Sequence, residues 1–500
     1  MYPCPNCASK NVIKKGKDLN KYGLQQRFKC KDCNSNFYKN LSTTTEITKI
    51  SSNKSSNKTW VVTSVLNDTS INEKFLNTLE SYCDHNDAEL MIIPIQHNRE
   101  DIDITYDDSI LDYLLYDNTE LTKDLLLYAG VYIAPYAANP LASVESYSQG
   151  KSIIFGSPQL MMKTFAVNHV DKSVIAYTTG SISEPNYSNT KSGGKATINH
   201  SYSALVIEED TEINSFHIRV LNSDDSGEFY DIDKFYSGSI VIPSNKIPAI
   251  VLGDEHVAFV DKTVVNATFH AKDSICNILN PEYLIRHDIL DFYSGSHHHK
   301  NDFFTQYKKY VTGTSVVEDE LTLTLDYILE TTVKKSKSVI IQSNHNSHLD
   351  TWLNSADIKR EPWNAKLYHY LMYLKLRAIE SHDDSCAFEI WCRSQTDTDN
   401  LIFVADESFK IYDIELGIHG HAGTNGSKGS STQFAKLGTK TISAHHHSPQ
   451  ITNGNYIVGT SSELKLDYNK GPSSWNHAHC IIQPNGKRQM IFINSGKWRR

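Results

Sequence analysis

The strongest constraint on the fold is a series of polar groups in the second half of the chain, each directly after an apolar run. In chain order they are Gly253-Asp254-Glu255-His256, His287-Asp288-Ile289-Leu290-Asp291, Ser343-Asn344-His345-Asn346, His419-Gly420-His421 and Ala444-His445-His446-His447. The apolar runs read as buried strands, and the C-terminal ends of strands gather side chains at one edge of an α/β sheet. Asp, Asn and His are ligands suited to Mn, Fe or Zn. The sequence therefore predicts a metal centre at such an edge.

The order of these groups resembles the calcineurin-like metallophosphoesterases, which include the Mre11-type nucleases. The family motifs D-x-H, G-D-x-x-D, G-N-H-[D/E], a single His and G-H-x-H correspond to D-E-H, H-D-I-L-D, S-N-H-N, G-I-H-G-H and A-H-H-H, over roughly residues 245–500. His287, Ser343 and Ala444 stand where the family has glycine, so a backbone residue is replaced and no ligand is lost. The resemblance implies an α/β fold, a layered α-β-β-α sandwich.

The resemblance also implies a role for each matching residue. One ion would be held by Asp254, His256, Asp288 and His447, and the second by Asp288, Asn344, His419 and His445, with Asp288 as the bridge. His345 would be catalytic, stabilising the transition state or protonating the leaving oxygen. Two such ions, with Mn favoured and Fe or Zn as alternatives, imply attack of a metal-bound hydroxide on a phosphodiester.

Several positions keep a second interpretation. Asp254 and His256 could form a simple turn, Asp291 could replace Asp288 as the bridging ligand, and His421 could replace His419. The triplet His297-His298-His299 could reach a phosphate or form a surface loop, and His477-Ala-His479 could be a rival metal pair. The Gly-rich segment 192–195 lacks the spacing of a phosphate-binding loop and is predicted to be a turn.

The N-terminus predicts a second metal site of a different kind. Cys4-Pro-Asn-Cys7 and Cys30-Lys-Asp-Cys33 are two C-x-x-C pairs, the pattern of a closed structural zinc site. The stretch Gly23-Leu-Gln-Gln-Arg27-Phe28-Lys29-Cys30 resembles the zinc ribbons of insertion-sequence transposases, which implies DNA binding. Arg27, Lys29 and Lys31 would contact phosphates, and Phe28 would offer a stacking face.

Charge and length divide the chain further. Residues 1–58 carry about 12 Lys and Arg against about 3 Asp and Glu, although the whole chain has a net charge of −9. A basic head on an acidic body predicts an anionic partner. We expect a zinc ribbon at 1–39, a flexible basic linker at 40–58, an α+β accessory region at 59–244 and the metallophosphoesterase domain at 245–500. The accessory region could support a homo-oligomer.

The functional expectation follows from both metal sites together. The Gly-rich loop 420–429 resembles that of phage-encoded phosphoesterases, some of which degrade host DNA. The leading hypothesis is therefore a metal-dependent DNase with DNA as its partner. The alternatives are a phosphoesterase acting on nucleotides or phosphoproteins, and a non-catalytic DNA-binding or scaffold protein with a degenerate metal site. Cysteines and lysines occupy the N-terminus and no apolar run reaches about 18 residues, so we expect a cytoplasmic protein without a signal peptide or membrane span.

Overall fold

A computed structural model describes residues 3–20, 23–40, 47–49, 58–99, 101, 104–168, 173–333, 335–405, 407–466 and 469–499. It confirms a mixed α/β fold. The strands are β1 (Val12–Asn20), β2 (Gly23–Cys30), β3 (Asn36–Asn40), β4 (Thr48–Lys49), β5 (Thr59–Leu66), β6 (Ala88–Ile95), β7 (Thr119–Thr122), β8 (Leu125–Tyr128), β9 (Ser152–Phe155), β10 (Met162–Thr164), β11 (Ile175–Thr178), β12 (Ser203–Asp210), β13 (Ser215–Asn222), β14 (Phe229–Asp231), β15 (Lys234–Ser237), β16 (Ile240–Pro243), β17 (Ala249–Val251), β18 (Tyr283–Arg286), β19 (Lys337–Ile341), β20 (Leu401–Val404), β21 (Lys410–Ile411), β22 (Ile414–Glu415), β23 (Lys440–Ser443), β24 (Gln450–Thr452), β25 (Asn455–Ile457), β26 (Ala478–Ile482) and β27 (Arg488–Phe492).

The described helices flank these strands. The α-helices are α1 (Glu73–Asn86), α2 (Glu145–Ser148), α3 (Lys191–Asn199), α4 (Lys262–Val265), α5 (Ile275–Leu279), α6 (Phe303–Thr312), α7 (Val317–Thr331), α8 (His348–Ser355), α9 (Ala365–Glu380), α10 (Ala387–Gln395) and α11 (Ser431–Phe434). Short 3₁₀ helices lie at Asp108–Tyr113, Val257–Phe259, His297–His299, Pro362–Asn364 and Thr424–Gly426, with one π turn at Asn266–His270. None of these helices is both long and apolar enough to span a bilayer.

Two large sheets form the centre of the molecule. The first has six strands in the order β20-β19-β18-β17-β26-β27, and the second has eleven in the order β21-β22-β23-β25-β24-β10-β11-β9-β8-β7-β4. The eleven-stranded sheet takes strands from both sides of residue 245, because β10 pairs with β24. The regions 59–244 and 245–500 therefore share one sheet.

Alternation along the strands explains how the sheets pack. In β17, Ala249 and Val251 enter a core shared with the eleven-stranded sheet, whereas Ile250 lies in a separate cluster on the opposite face with α5. In β19, Val339 enters the shared core, and Ile340 packs under helices α7 to α10. Successive side chains of a strand point to opposite faces, so one apolar run serves two cores.

Smaller units complete the structure. Strands β13-β12-β5-β6 form a four-stranded sheet whose outer face packs on α1, strands β14-β15-β16 form a three-stranded sheet, and β1-β2-β3 form the N-terminal ribbon. Much of the expected linker at 40–58 lies outside the described residues, but β4 within it pairs with β7.

Two local predictions were wrong. The Gly-rich segment 192–195 lies within helix α3, because Thr190 caps that helix by accepting a hydrogen bond from the Gly193 N–H. The apolar run before His419, predicted like the other apolar runs to be one strand, forms the hairpin of β21 and β22 instead. It turns at Tyr412, which adopts a positive φ of 54°.

Candidate metal centre

The ligand candidates lie where strand ends from the two large sheets meet. Strands β17, β18 and β19 are parallel neighbours, so the loops carrying Asp254, Asp288 and Asn344 leave the same edge of the six-stranded sheet. Strands β22 and β23 are parallel in the eleven-stranded sheet, and the segments after them carry His419 and His445. The expected convergence at strand ends is present, and it involves two sheets.

Close backbone contact fixes this meeting point. A Cβ atom at Gly253 would lie 2.8 Å from the backbone of Gly459 and Thr460, so glycine is required there. Next to it, Asp254 forms a bridge with Thr460, and its Oδ2 accepts a 2.8 Å hydrogen bond from the His445 N–H. Asp254 is thereby held between the two sheets.

The first predicted ligand group is assembled in full. Asp254, His256, Asp288 and His447 each offer a ligand atom within 4.8 Å of the others, and all four side chains are buried. The Nε2 atoms of His256 and His447 lie 3.1 Å apart, and His447 Nε2 is also 3.1 Å from Asp254 Oδ2. Ligand atoms around an ion at about 2.1 Å are separated by about 3.0–3.4 Å. These four residues can therefore hold a metal ion.

The second group shares Asp288 with the first. Asp288, His419 and His445 offer ligand atoms within 4.8 Å of one another, and His419 Nε2 lies 3.1 Å from Asp288 Oδ2. The buried Oδ1 of Asn344 has no hydrogen-bond partner among the described residues, as expected of an oxygen meant for a cation. The Oδ1 atoms of Asp254 and Asp288 are unpartnered in the same sense.

The geometry bears on the alternatives that the sequence left open. Asp288 belongs to both ligand groups, whereas Asp291 forms a candidate group only with His256 and His345. Asp291 Oδ1 lies 2.9 Å from His256 Nδ1, behind the nitrogen that faces the first group. Such an outer carboxylate orients a metal-binding imidazole. His419 belongs to the second group and His421 to none of the groups formed by described residues, although their rings are neighbours at 5.5 Å. Asp288 and His419 are therefore the better-placed ligands.

The backbone is constrained at four of the ligand positions. His256, Asp288, His445 and His447 have positive φ values of 42°, 42°, 74° and 55°. Side chains other than glycine rarely occupy this left-handed region, at a cost of about 1–3 kcal/mol each. Such conformations persist only where surrounding contacts enforce them, and they concentrate at functional sites.

The electrostatics couple the carboxylates to the imidazoles. Burial opposes ionisation of Asp288, yet the facing His419 and His345 hold the pKa of that carboxyl well below its usual value. Burial lowers the pKa of His256, but the carboxylates of Asp291 and Asp288 outweigh it and raise that pKa to about 9. The pKa of His419 is raised as well, so without a cation the protonated imidazoles of His256 and His419 balance the buried carboxylates. A divalent ion would displace those protons.

His345 occupies the open side of the first group. Its side chain is 22% exposed, and its Nδ1 lies 2.8 Å from the carbonyl oxygen of Asp291. A carbonyl oxygen can only accept a hydrogen bond, so the Nδ1 atom of His345 carries the proton. The Nε2 atom is therefore free to form a hydrogen bond with a bound molecule or to transfer a proton to it. The His345 ring also contacts the ring of His256, with centroids 4.6 Å apart.

Local hydrogen bonds form at two of the three substituted glycine positions, Ser343 and Ala444. The Ser343 hydroxyl accepts a hydrogen bond from the Asn346 N–H and so stabilises the turn, and Ala444 donates its N–H to the His419 carbonyl. His287 is fully buried beside His419, and neither of its ring nitrogens has a hydrogen-bond partner among the described residues. Burial lowers its pKa to about 3.

A buried ion pair supports the loop between two ligands. Arg286 donates to Glu255 at 2.7 Å, and both side chains are fully buried. Arg286 also donates to Ser338 and Thr331. Glu255 separates Asp254 from His256 in sequence, so this network anchors the first ligand loop to strand β18. No pattern in the sequence indicates this ion pair, because it depends on the packing of distant segments.

The rival pair His477 and His479 is occupied with structural hydrogen bonds. His479 is fully buried, its Nδ1 accepts from the Gly253 N–H at 3.0 Å, and its Nε2 lies 3.0 Å from the Thr268 hydroxyl. His477 Nε2 is bonded to the Ser462 carbonyl. Neither belongs to a metal-binding group of described residues.

His479 predicts a pH dependence of stability. Burial and the neighbouring His477 lower its pKa from 6.5 to about 3. Because the unfolded chain binds a proton at this histidine more readily than the folded protein does, the free energy of unfolding is highest above pH 6.5. It falls by up to about 1.4 kcal/mol per pH unit as the pH drops from 6.5 towards 3. We expect His479→Gln, whose amide oxygen can still accept from Gly253, to lower the pH midpoint of acid unfolding measured by circular dichroism. An unchanged midpoint would show that other groups dominate the acid transition.

The four N-terminal cysteines come together as predicted. Cys4 and Cys33 have sulfur atoms 3.5 Å apart, and those of Cys7 and Cys30 are 3.6 Å apart. Sulfurs around a tetrahedral zinc at about 2.3 Å are separated by about 3.8 Å. The four thiols therefore fit a small structural zinc site.

One predicted DNA contact in the ribbon needs correction. Phe28 is buried in the ribbon core and stacks on Phe37 at 5.2 Å, so it offers no free stacking face. Arg27 donates its guanidinium to the Lys15 carbonyl, Lys29 is half-buried, and Lys31 is exposed. The prediction that Phe28 stacks on a base is therefore wrong, and the phosphate contacts of Arg27, Lys29 and Lys31 stay a prediction.

Comparison with known proteins adds one relationship. No protein-family model matches the chain. The chain is 31% identical over 462 residues to Protein A1 of Escherichia phage T5, and the match covers 88% of this chain and 83% of the phage protein. This coverage spans most of both proteins, and the chain therefore belongs to the family of phage T5 Protein A1.

Proposed function

We propose that the protein is a metal-dependent phosphodiesterase of the calcineurin-like type, with DNA as its substrate. The observation that carries the proposal is the pair of buried Asp/His groups that share Asp288. Two cations held there, with Mn favoured, would supply Lewis acidity to a phosphate and to an attacking water. The two sheets face each other across a shared core, and α5 and α7 to α10 cover the outer face of the six-stranded sheet, which supports assignment to the metallophosphoesterase sandwich.

The residues of the chain divide the work. Asp254, His256, Asp288 and His447 would hold one cation, and Asp288, Asn344, His419 and His445 the other. Asp291 fixes the ring of His256. His345 donates from Nδ1 to the Asp291 carbonyl, which leaves Nε2 to face the substrate. Through Nε2 it would stabilise the reacting phosphate or, as the imidazolium, give a proton to the leaving oxygen.

The direct test is hydrolysis of bis-p-nitrophenyl phosphate and of plasmid DNA, each with Mn²⁺ and with EDTA. Mn²⁺-dependent cleavage of both supports the proposal. Cleavage of the small diester alone would point to a phosphoesterase for nucleotides or phosphoproteins. No cleavage of either, with metals bound, would favour a DNA-binding or scaffold protein.

An exposed aromatic helix supports a nucleic-acid substrate. Helix α6 follows the segment 297–299 and turns Phe303, Phe304, Tyr307 and Tyr310 outward, with exposures of 60–82%, whereas Lys309 is its buried contact. Lys300 and Lys308 are exposed around these rings. Aromatic faces beside basic side chains suit the stacking of unpaired bases.

We expect Tyr307→Ala/Tyr310→Ala to weaken binding of single-stranded DNA about tenfold or more, because each stacked base contributes about 1–3 kcal/mol. Fluorescence anisotropy with a labelled oligonucleotide measures the change. Tyr136→Ala, which removes an exposed aromatic ring from the accessory region, is the control and should leave affinity unchanged. If both variants bound single-stranded DNA with the same affinity, α6 would not be part of the DNA-binding surface.

The ribbon makes a separate prediction about salt. Lys29→Ala/Lys31→Ala should lower the slope of log affinity against log salt by about two, since each lost phosphate contact removes about one unit. Hydrolysis of bis-p-nitrophenyl phosphate should stay unchanged. The matched control is Lys191→Ala/Lys195→Ala, which removes two exposed lysines of α3. An unaltered slope in the ribbon variant would exclude these lysines as phosphate contacts.

A further inference from the structure

A third group of imidazoles lies on the surface beside the metal centre. His297 and His298 belong to the 3₁₀ helix His297–His299, and His348 begins helix α8. Each of the three offers a ring nitrogen within 4.8 Å of the others. The ring centroids of His297 and His298 are 3.9 Å apart, and those of His297 and His348 are 5.0 Å apart.

The arrangement is not explained by core packing or by hydrogen bonding. His297 and His298 are exposed, and His348 is half-buried. Within the described part of the chain, none of the ring nitrogens of these three residues is engaged in a hydrogen bond or an ion pair. The third member of the triplet differs, because His299 turns towards Tyr293, with ring centroids 5.1 Å apart.

The two segments that carry the imidazoles are tied together independently of the rings. Lys300 donates from Nζ to the Ser355 carbonyl at 3.2 Å, which links the end of the 3₁₀ turn to the end of α8. Gln306 of α6 donates to the His299 carbonyl at 2.9 Å. The three histidines are therefore presented by a supported turn and a helix start.

We propose that His297, His298 and His348 form a third metal site, for a divalent ion of the zinc class. Imidazole nitrogen suits Zn²⁺, Co²⁺, Ni²⁺ and Cu²⁺. Three protein ligands leave a further coordination position open, unlike the closed cysteine site, and an open position on a surface ion accepts water or an anionic oxygen.

The distance of the surface histidines from the buried metal centre indicates which ligand the surface ion would bind. The His348 ring lies 4.9 Å from that of His345, and His345 lies 4.6 Å from His256 of the buried centre. A cation held by the surface group would thus be separated from the buried centre by one imidazole layer. Its role rests on the proposed function: the ion would attract a phosphate oxygen next to the phosphate bound at the buried centre, as in a polynucleotide backbone.

The test measures the number of metal ions bound per chain and does not depend on hydrolytic activity. Full-length protein is stripped with EDTA, dialysed against Zn²⁺ and passed over a desalting column, and its metal is measured by mass spectrometry. His297→Ala/His298→Ala should retain about one ion fewer per chain than wild type. The control His85→Ala/His369→Ala, which removes two exposed histidines elsewhere, should match wild type.

A second readout keeps the proposal testable if a variant is poorly folded. Circular dichroism first establishes that each variant matches wild type. His348→Gln removes the ligand from the other segment, so it should show the same loss. Cu²⁺ added to wild type should give nitrogen hyperfine splitting in electron paramagnetic resonance that is reduced in both variants. Equal zinc content and equal spectra in wild type and both variants would overturn the third site, whatever the activity of the buried centre.

Discussion

Asp288→Asn should reduce hydrolysis of bis-p-nitrophenyl phosphate by about a thousandfold, the upper range for loss of one electrostatic group in an active site. Asp288 is shared by both ligand groups, so its neutralisation weakens both at once. The metal content should fall by about one ion or more per chain. Rates measured across Mn²⁺ concentrations, together with metal analysis, test both expectations.

Two comparison variants sharpen this prediction. Asp326→Asn alters an exposed carboxylate on α7 and should behave as wild type. Asp291→Asn removes the carboxylate behind His256, and such outer partners typically contribute 10–100-fold, so we expect about that loss. If Asp291→Asn were the more severe change, the roles assigned to the two aspartates would have to be exchanged. Full activity of Asp288→Asn would exclude the two-metal mechanism.

Removal of the metals should destabilise the protein strongly. An ion present at about a thousand times its dissociation constant adds about 4 kcal/mol to stability, and two ions are expected here. Asp254 and Asp288 are fully buried and ionised, and both have oxygens that no described group satisfies. We expect EDTA to lower the melting temperature by several degrees at a fixed scan rate.

The size of this effect should rise with pH. In the metal-free protein the pKa of His256 is raised to about 9, so its protonation stabilises the fold fully below pH 6.5 and ceases to do so as the pH passes 9. A metal-bound imidazole is neutral and makes no such contribution. The difference between Mn²⁺ and EDTA should therefore grow from pH 6.5 to 9.

The zinc of the ribbon needs a separate control, because EDTA can remove it as well. A chain without residues 1–58 should show the same shift in the main melting transition as the full chain. A shift that disappeared in this variant would trace the effect to the ribbon. A melting temperature unaffected by EDTA in the full chain would contradict metal binding at the buried centre.

Much of the site was predictable because it depends on local pattern. Each ligand follows an apolar strand, so its position at a strand end could be read from the chain, as for Asp254 after β17 and His445 after β23. The left-handed backbone at His256 and His447 was not predictable, because tertiary contacts impose it against the preference of the residue. The burial of Phe28 was missed for a related reason, since a very small ribbon uses its few apolar side chains as core.

Long-range pairing also lay beyond the sequence. Nothing in the patterns of 162–164 or 450–452 indicates that these strands are neighbours, because pairing leaves no periodic signal. Likewise, Asp288 and Asp291 are both aspartates of the H-D-I-L-D motif, so the sequence alone does not show which of them is the metal ligand. Only the short distance from Asp291 to His256 Nδ1 shows that Asp291 orients the imidazole. The histidines at 297, 298 and 348 come from two segments whose proximity depends on the fold.

The pairing of β10 with β24 has a consequence for synthesis of the chain. Met162 pairs with Ile451, which lies about 290 residues later in the chain. At a translation rate of about 5–20 residues per second, β24 is synthesised on the order of 15–60 s after β10. Until then the ribosome-bound protein exposes the β10 edge, and an open edge is prone to pair with other chains. Slower growth at low temperature or an added chaperone should therefore raise the soluble yield, and fragments ending before residue 450 should aggregate.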